Sequence, residues 1–266
     1  MKTKISRAKA PRAFPQGRSL LFALAVACCI PASVGAQIFG PNLIVNGNAE
    51  AGPGSTDGST FPVPNAPGWT VVGNFIVNQY NIAGGFPLST DPGSPTRASN
   101  YFAGGNANAS SSATQSINVT AGAATIDAGT ATYNLSGWLG GFSSQDDQAL
   151  LTVTFRNAGA ASIGSASIGP VTAADRANAT GMLLRAAGGA VPVGTRTIDV
   201  VLQMTRLSGS YNDGYADDLS LVLSAPAAVS TLSVPTLNEW TLIVLIGLLA
   251  LAGGCYLRVN LRVRRG

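Results

Sequence analysis

Between residues 43 and 223 apolar side chains recur at every second position over short stretches, and no long run repeats at helical spacing. Leu151, Val153 and Phe155 fall on one side of such a stretch. In TIDVVLQMTR, Ile198, Val200, Leu202 and Met204 point one way, and Thr197, Asp199, Gln203 and Thr205 the other. ATYNLSGWLG sets Tyr133, Leu135 and Leu139 against Thr132, Asn134 and Ser136. A period of two marks a half-buried strand. The same reading gives strands near Leu43–Val45, Trp69–Val72, Phe75–Gln79, Asn100–Phe102, Thr114–Val119, Ser162–Ile168, Met182–Arg185 and Tyr215–Leu223. About ten short strands divided by Gly, Pro, Asn and Ser turns predict an all-β sandwich over residues 37–225. The stretches 51–68 and 84–100, rich in Gly and Pro, read as long rim loops.

The pattern changes at both ends. Six basic residues from Lys2 to Arg18 precede an apolar run, Leu20–Ile30, and small residues Val34 and Ala36 precede Gln37. That arrangement predicts a secretory signal peptide over 1–36. At the other end, SAPAAVSTLS holds a linker at 226–233. Residues 240–257 then form an apolar run, WTLIVLIGLLALAGGCYL, closed by Arg258, Arg262, Arg264 and Arg265. About 18 apolar residues just reach across a hydrocarbon core, and the arginines hold that end in the cytoplasm, so a transmembrane helix is expected at 240–257.

Removing the ends inverts the charge. The chain has 16 basic and 12 acidic residues. The leader takes six of the basic residues and the tail four, whereas Glu239 is the sole acid outside the body. The body therefore carries about −5, and nucleic acid is not an expected partner. Cys28, Cys29 and Cys255 all lie in the end segments, so the body has no disulfide; histidine is absent throughout. Without histidine there is no Ser-His-Asp triad, no Cys-His pair and no His-ligated metal site.

Acid is sparse, yet Asp213, Asp217 and Asp218 cluster in SYNDGYADDLSLVL, at the mouth of the last strand. Strict alternation would put Asp217 on the face of Leu219, Leu221 and Leu223. A carboxylate at that place needs a cation or several donors. Glu50, the one glutamate of the body, follows the first predicted strand in NLIVNGNAEAG. These two stretches resemble the paired first and last strands of galactose-binding-like jelly-roll domains, the fold of many carbohydrate-binding modules. The resemblance covers about 20 residues, and Ala49 replaces its usual aromatic. It implies a jelly-roll sandwich whose Glu50 and Asp217 bind a structural calcium ion, with backbone carbonyls completing the shell; beside them Asn46, Asp213 and Asp218 offer further oxygens. Calcium accepts about six to eight oxygens and needs no histidine. The alternative is an ion pair from Asp217 to Arg196 or Arg206, with Asp213 serving an Asn-Asp-Gly turn.

Two further sets of residues bear on function. Trp138 and Phe142, with Gln145 and Asp146 close by in a Gly-rich segment, form the expected sugar-facing patch. Trp69, Tyr80, Phe86, Tyr101, Tyr211 and Tyr215 read mostly as core or rim packing. The adjacent acids Asp146 and Asp147 offer a hydrolase reading, since glycoside hydrolysis uses two carboxylates roughly 5–10 Å apart. Neighbours in a chain usually point apart, so a solvated turn is the expectation for that pair.

Finally, Pro235, Thr236, Leu237, Glu239 and Trp240, the apolar run and the arginine cluster resemble the IPTL-CTERM sorting domain of Gram-negative bacteria. Val234 stands where that motif has Ile, and Thr241 where Gly is common. The resemblance implies processing by an exosortase-type membrane protease. The chain would pass from an inner-membrane-anchored intermediate to the cell surface or extracellular matrix. A permanent single-pass anchor is the simpler alternative. The expectation is an exported, non-catalytic sandwich that binds a polysaccharide or serves as a matrix component; a protein-binding adhesin is the alternative class.

Overall fold

The computed structural model describes residues 37–227 and 239–263. The leader, residues 228–233 of the linker, and Pro235, Thr236 and Leu237 lie outside the described residues. Ten strands run through the body: β1 (Thr70–Val72), β2 (Ile76–Gln79), β3 (Asn100–Asn106), β4 (Ser110–Asn118), β5 (Thr132–Gly141), β6 (Gln148–Arg156), β7 (Ser162–Ile168), β8 (Gly181–Ala190), β9 (Thr197–Thr205) and β10 (Tyr211–Ser224). They form two antiparallel five-stranded sheets, ordered β1-β4-β9-β6-β7 and β2-β3-β10-β5-β8. This is an all-β two-sheet sandwich, as the alternation predicts.

The strand faces sort as read. Leu151, Val153 and Phe155 on β6, and Ile198, Val200, Leu202 and Met204 on β9, are all buried. They meet Phe102, Leu135, Leu139, Ala216, Leu221 and Leu223 from the second sheet in one continuous core. Each fully buried aliphatic or aromatic chain stabilises the fold by about 1.5–3 kcal/mol. Phe102 is the aromatic centre at one end, with its ring 5.7 Å from those of Trp69 and Phe75.

The beginning of the body lies against its end. The N–H groups of Gly40 and Leu43 donate to the carbonyls of Leu223 and Leu221, and the Leu219 N–H donates to the Gly47 carbonyl. The Asn42 side chain donates to the Leu219 carbonyl, while its Oδ1 accepts from Ile44 and Leu221. That last pair explains one departure from expectation. Leu43–Val45 is not a strand: Asn42 captures the Ile44 N–H and bends the chain into a turn, in which Asn46 and Ala49 have φ of 50° and 61°. Strand pairing with β10 is reduced to isolated bridges at Phe39 and Asn42, and the remaining contact is by the single hydrogen bonds above.

A second departure concerns Asp217. Along β10 and β5, Asp217 opposes Trp138 while Ser220 opposes Ser136, so β10 carries one extra residue there. Asp218, at φ 46°, takes the bulge. Alternation restarts after it, and Asp217 therefore points away from Leu219, Leu221 and Leu223, to the outer face of the sheet.

A helix over Glu239–Val263 follows, with exposed apolar side chains from Leu242 to Leu251. Its described side chains run from 242 to 254, inside the expected span of 240–257. Among the described residues, no helix is long and apolar enough to cross a membrane.

Candidate functional site

The second sheet is apolar on both sides. On β3, Phe102 faces the inter-sheet core, whereas Tyr101 and Ala103 face outward; on β10, Ala216 faces inward and Tyr215 outward. Ile76, Tyr80, Tyr101, Ala103, Met182 and Tyr215 make a separate buried cluster on this outer face, flanked by half-buried Trp138, Phe142 and Tyr211. The loop from Tyr80 to Ser99 covers it. The loop's Pro92 carbonyl accepts the Met182 N–H, and the Arg97 guanidinium sits 5.5 Å from the centre of the Tyr80 ring. Arg97 also holds the loop's shape by donating to the carbonyls of Ser94, Leu88 and Asp91.

The covering is incomplete. Beside the loop lies a cavity of about 200 Å³, walled by Phe86, Phe142 and Tyr211 and floored by Asp213 and Tyr215. Phe86 meets Tyr211 edge-on at 5.1 Å. Gly85, at φ 91°, comes so close that an added Cβ would lie 2.9 Å from the Phe142 ring. A broader depression of about 560 Å³ continues past Phe86 and Phe142 toward Pro92 and Thr180. Rings beside polar groups in a concave setting suit a sugar ring, whose C–H faces stack on aromatics while its hydroxyls hydrogen-bond.

Asp213 is buried, and the loss of solvent pushes its carboxyl up to about 6; the Tyr215 hydroxyl bond opposes the rise, the Asp147 charge adds to it and the Arg176 charge opposes it. Its position comes from Asp147. That carboxylate, wholly buried, accepts the N–H groups of Leu207 at 2.7 Å, Ser208 at 2.9 Å and Asp213 at 2.8 Å. The structure thus corrects the expected solvated turn: Asp147 anchors the segment that enters β10. Asp146 is exposed and accepts the Ala173 N–H. The two acids serve different loops and do not form a facing pair.

Of the expected sugar-facing patch, Phe142 walls the cavity and Trp138 lies against the same outer cluster. Gln145 and Asp146 belong to the supporting loop. The Gln145 carbonyl accepts a bond from Arg176, which is itself buried and also donates to the carbonyls of Ser143 and Ala179.

Asp217 stands elsewhere on this face. Its Oδ2 accepts the Tyr80 hydroxyl at 2.8 Å and its Oδ1 accepts the Asp218 N–H at 2.7 Å. Burial pushes its carboxyl up to about 7, with the charges of Asp218 and Glu50 adding to the rise and the two hydrogen bonds opposing it. Glu50 accepts the N–H groups of Ser99 and Asn100, and Asp218 the hydroxyls of Ser94 and Thr96. Asn46 is engaged in its own turn, with Ala51 and Pro67 as partners. The alternative ion pair to Arg196 or Arg206 does not form: Arg196 pairs with Asp127, and Arg206 bonds the Ser210 carbonyl. Among the described residues, no arginine pairs with Glu50, Asp217 or Asp218.

Comparison with solved structures gives low-identity likenesses. The chain is similar to the CBM22-1 xylan-binding domain from Paenibacillus barcinonensis, at 13% identity and a TM-score of 0.36, over 66% of this chain and 99% of that one. It is similar to a family 35 carbohydrate binding module from Clostridium thermocellum, at 14% identity and a TM-score of 0.32, over 60% and 95%. A third similar structure is the enzymatically active domain of tailspike protein 4 from bacteriophage CBA120, at 14% identity and a TM-score of 0.41; the match spans 69% of this chain but 21% of that one. No family model matches the chain. No curated protein matches it either. The two-sheet architecture stands on the strand pairing above, without those likenesses.

Sequence reasoning placed Phe86, Tyr101, Tyr211 and Tyr215 mostly in the core or rim and did not single out the outer face. A signal was present. Asn100-Tyr-Phe-Ala and Tyr215-Ala interrupt the polar half of the alternation, which marks strands covered on both sides.

Proposed function

We propose that this domain binds carbohydrate, without catalysing its breakdown, in the cavity on the outer face of the second sheet. The observation that carries the reading is the convergence of three half-buried rings, Phe86, Phe142 and Tyr211, over the polar floor of Asp213 and Tyr215. The cavity is the size of roughly one sugar ring, and its continuation past Phe86 leaves room for the next unit of a chain. The hydrolase reading loses support, because Asp147 is committed to three backbone N–H groups. The test is glycan-array and affinity-electrophoresis binding of residues 37–225 against soluble polysaccharides. Phe86→Ala and Phe142→Ala should each weaken binding about tenfold or more, as loss of stacking predicts. Binding that survives both substitutions would place the ligand elsewhere.

The same reading includes a calcium ion held by Glu50, Asp217 and Asp218. The charges of Asp218 and Glu50 reach the buried Asp217 and none of the three has a basic partner among the described residues, although the three carboxylates do not gather there into a group that could already hold a metal ion, so binding would have to draw them together. The hydroxyls of Ser94 and Thr96, turned about, supply oxygen ligands of the kind calcium takes. The ion's role is stability: it would tie Glu50, near the domain's start, to the last strand. For the chain as a whole we retain export through the 1–36 leader and surface sorting by an exosortase-type protease acting at Pro235–Trp240. The apolar run at 240–257 then serves as the membrane hold, and the destination is the envelope or matrix of a Gram-negative cell.

A further inference from the structure

The cavity's chemistry narrows the ligand beyond a general carbohydrate. Asp213 is 8% exposed. Its Oδ1 accepts the Tyr215 hydroxyl, and among the described residues its Oδ2 accepts no hydrogen bond. The carboxylate forms the floor, and the π faces and edges of Phe86, Phe142 and Tyr211 form the walls. No lysine, arginine or histidine lines the space. Arg176 acts on Asp213 through its charge, while its two terminal nitrogens donate to three carbonyls outside the cavity and its buried Nε finds no partner among the described residues. Asp147 lies behind Asp213, and the charge of Asp57 reaches Tyr211. Asp213 is thus the one charged group lining the aromatic box, and it is an acid.

A neutral sugar hydroxyl would use the rings and leave that field unused. An anionic sugar would meet repulsion from a carboxylate with little water to screen it. A positive group gains twice: it pairs with the carboxylate and is attracted by the ring faces, an effect worth more when water is excluded. We propose that the cavity recognises an amino sugar through its protonated amine, in a glycan containing 2-amino-2-deoxy residues that are not N-acetylated. The inference rests on the carbohydrate reading above and adds the chemistry of the ring that enters the cavity. The depression beyond Phe86 and Phe142 favours a sugar chain over a small free amine, because the next ring has a place to lie. The body's charge of about −5 favours cationic polymers in the same direction.

The test uses calorimetry on residues 37–225 with two probes of equal length, the β-1,4-linked tetramer of glucosamine and its fully N-acetylated counterpart, at pH 7. The free-amine tetramer should bind at least tenfold more tightly. Asp213→Asn should bring the two within about twofold, chiefly by weakening the free-amine tetramer. A second measurement needs no variant: raising salt from 0.05 to 0.5 M should weaken only the free-amine tetramer, since screening acts on the charged contact. Equal binding of the two tetramers, or a preference that survives Asp213→Asn, would overturn the amine assignment and leave the carbohydrate reading standing. Binding of a neutral glycan alone, lost in Phe86→Ala, would do the same. No binding of any glycan would overturn both.

Discussion

Replacing Asp147 tests how the outer face of the second sheet is built. Its two oxygens take three N–H donors, from Leu207, Ser208 and Asp213, in a place without solvent. A hydrogen bond to a charged group contributes about 1.5–3 kcal/mol net, and a buried donor left without a partner costs about 1–3 kcal/mol. Asp147→Ala orphans all three, and partial access of water to the Leu207 and Ser208 ends lowers the total, so about 3–6 kcal/mol is expected. Asp147→Asn keeps one acceptor and turns an NH₂ toward the remaining donors, for about 2–4 kcal/mol. Asp146→Ala is the control: it removes one bond, to Ala173, from an exposed side chain, for about 1 kcal/mol or less. Urea unfolding of residues 37–225, followed by tyrosine and tryptophan fluorescence, reads all three as midpoint shifts at constant slope. A loss under about 1 kcal/mol for Asp147→Ala would refute the anchoring role.

Three other outcomes follow from the geometry. The folded-state pKa of Asp213, about 6, exceeds the usual carboxylate value, so the native state holds its proton more tightly than the unfolded chain. Stability from this group is therefore full below about pH 4 and falls as pH rises through about 6; Asp213→Asn should flatten that part of the pH–stability curve by roughly 3 kcal/mol, and an unchanged slope would contradict the burial argument. Adding calcium to chelator-treated protein should raise the melting temperature, by the equivalent of about 2.7 kcal/mol at a hundredfold excess over Kd, and Glu50→Gln should abolish the rise; no shift in the unsubstituted domain would remove the ion from the picture. At Gly47 an added Cβ would lie 2.1 Å from the Leu219 carbonyl oxygen, so Gly47→Ala must push the opening turn off β10, at about 1–3 kcal/mol in urea unfolding, and a neutral result would mean that the turn is not held there.

Most of the sandwich was legible because each strand keeps one face apolar, and a period of two needs no partner to be recognised. Ile198 through Met204 is the clearest case, with four alternate residues buried on the predicted side. What could not be read depends on contacts far apart in the chain. The face of Asp217 is reversed by one bulge residue, Asp218, whose backbone conformation has no marker in the letters DD. Leu43–Val45 alternates like a strand, yet Asn42 diverts it by taking an N–H that the ladder would use. Asp147 resembled an ordinary loop acid because its three donors come from residues 60 to 66 positions later. The aromatic cavity was half legible. Phe142 and Trp138 stood out beside glycines, whereas Phe86 and Tyr211 meet only after the loop from Tyr80 to Ser99 folds back over the sheet.

β10 begins at the cavity wall, at Tyr211, supplies the floor at Asp213 and Tyr215, and ends at Ser224, where the chain leaves the sandwich. It is also an interior strand, laddered to β3 near its start and to β5 along most of its length. A pull exerted by a captured polymer on Asp213 and Tyr215 would therefore travel along one backbone to the exit point, without crossing a loop. Tension along that line loads the two flanking ladders in shear, where many bonds must give way together.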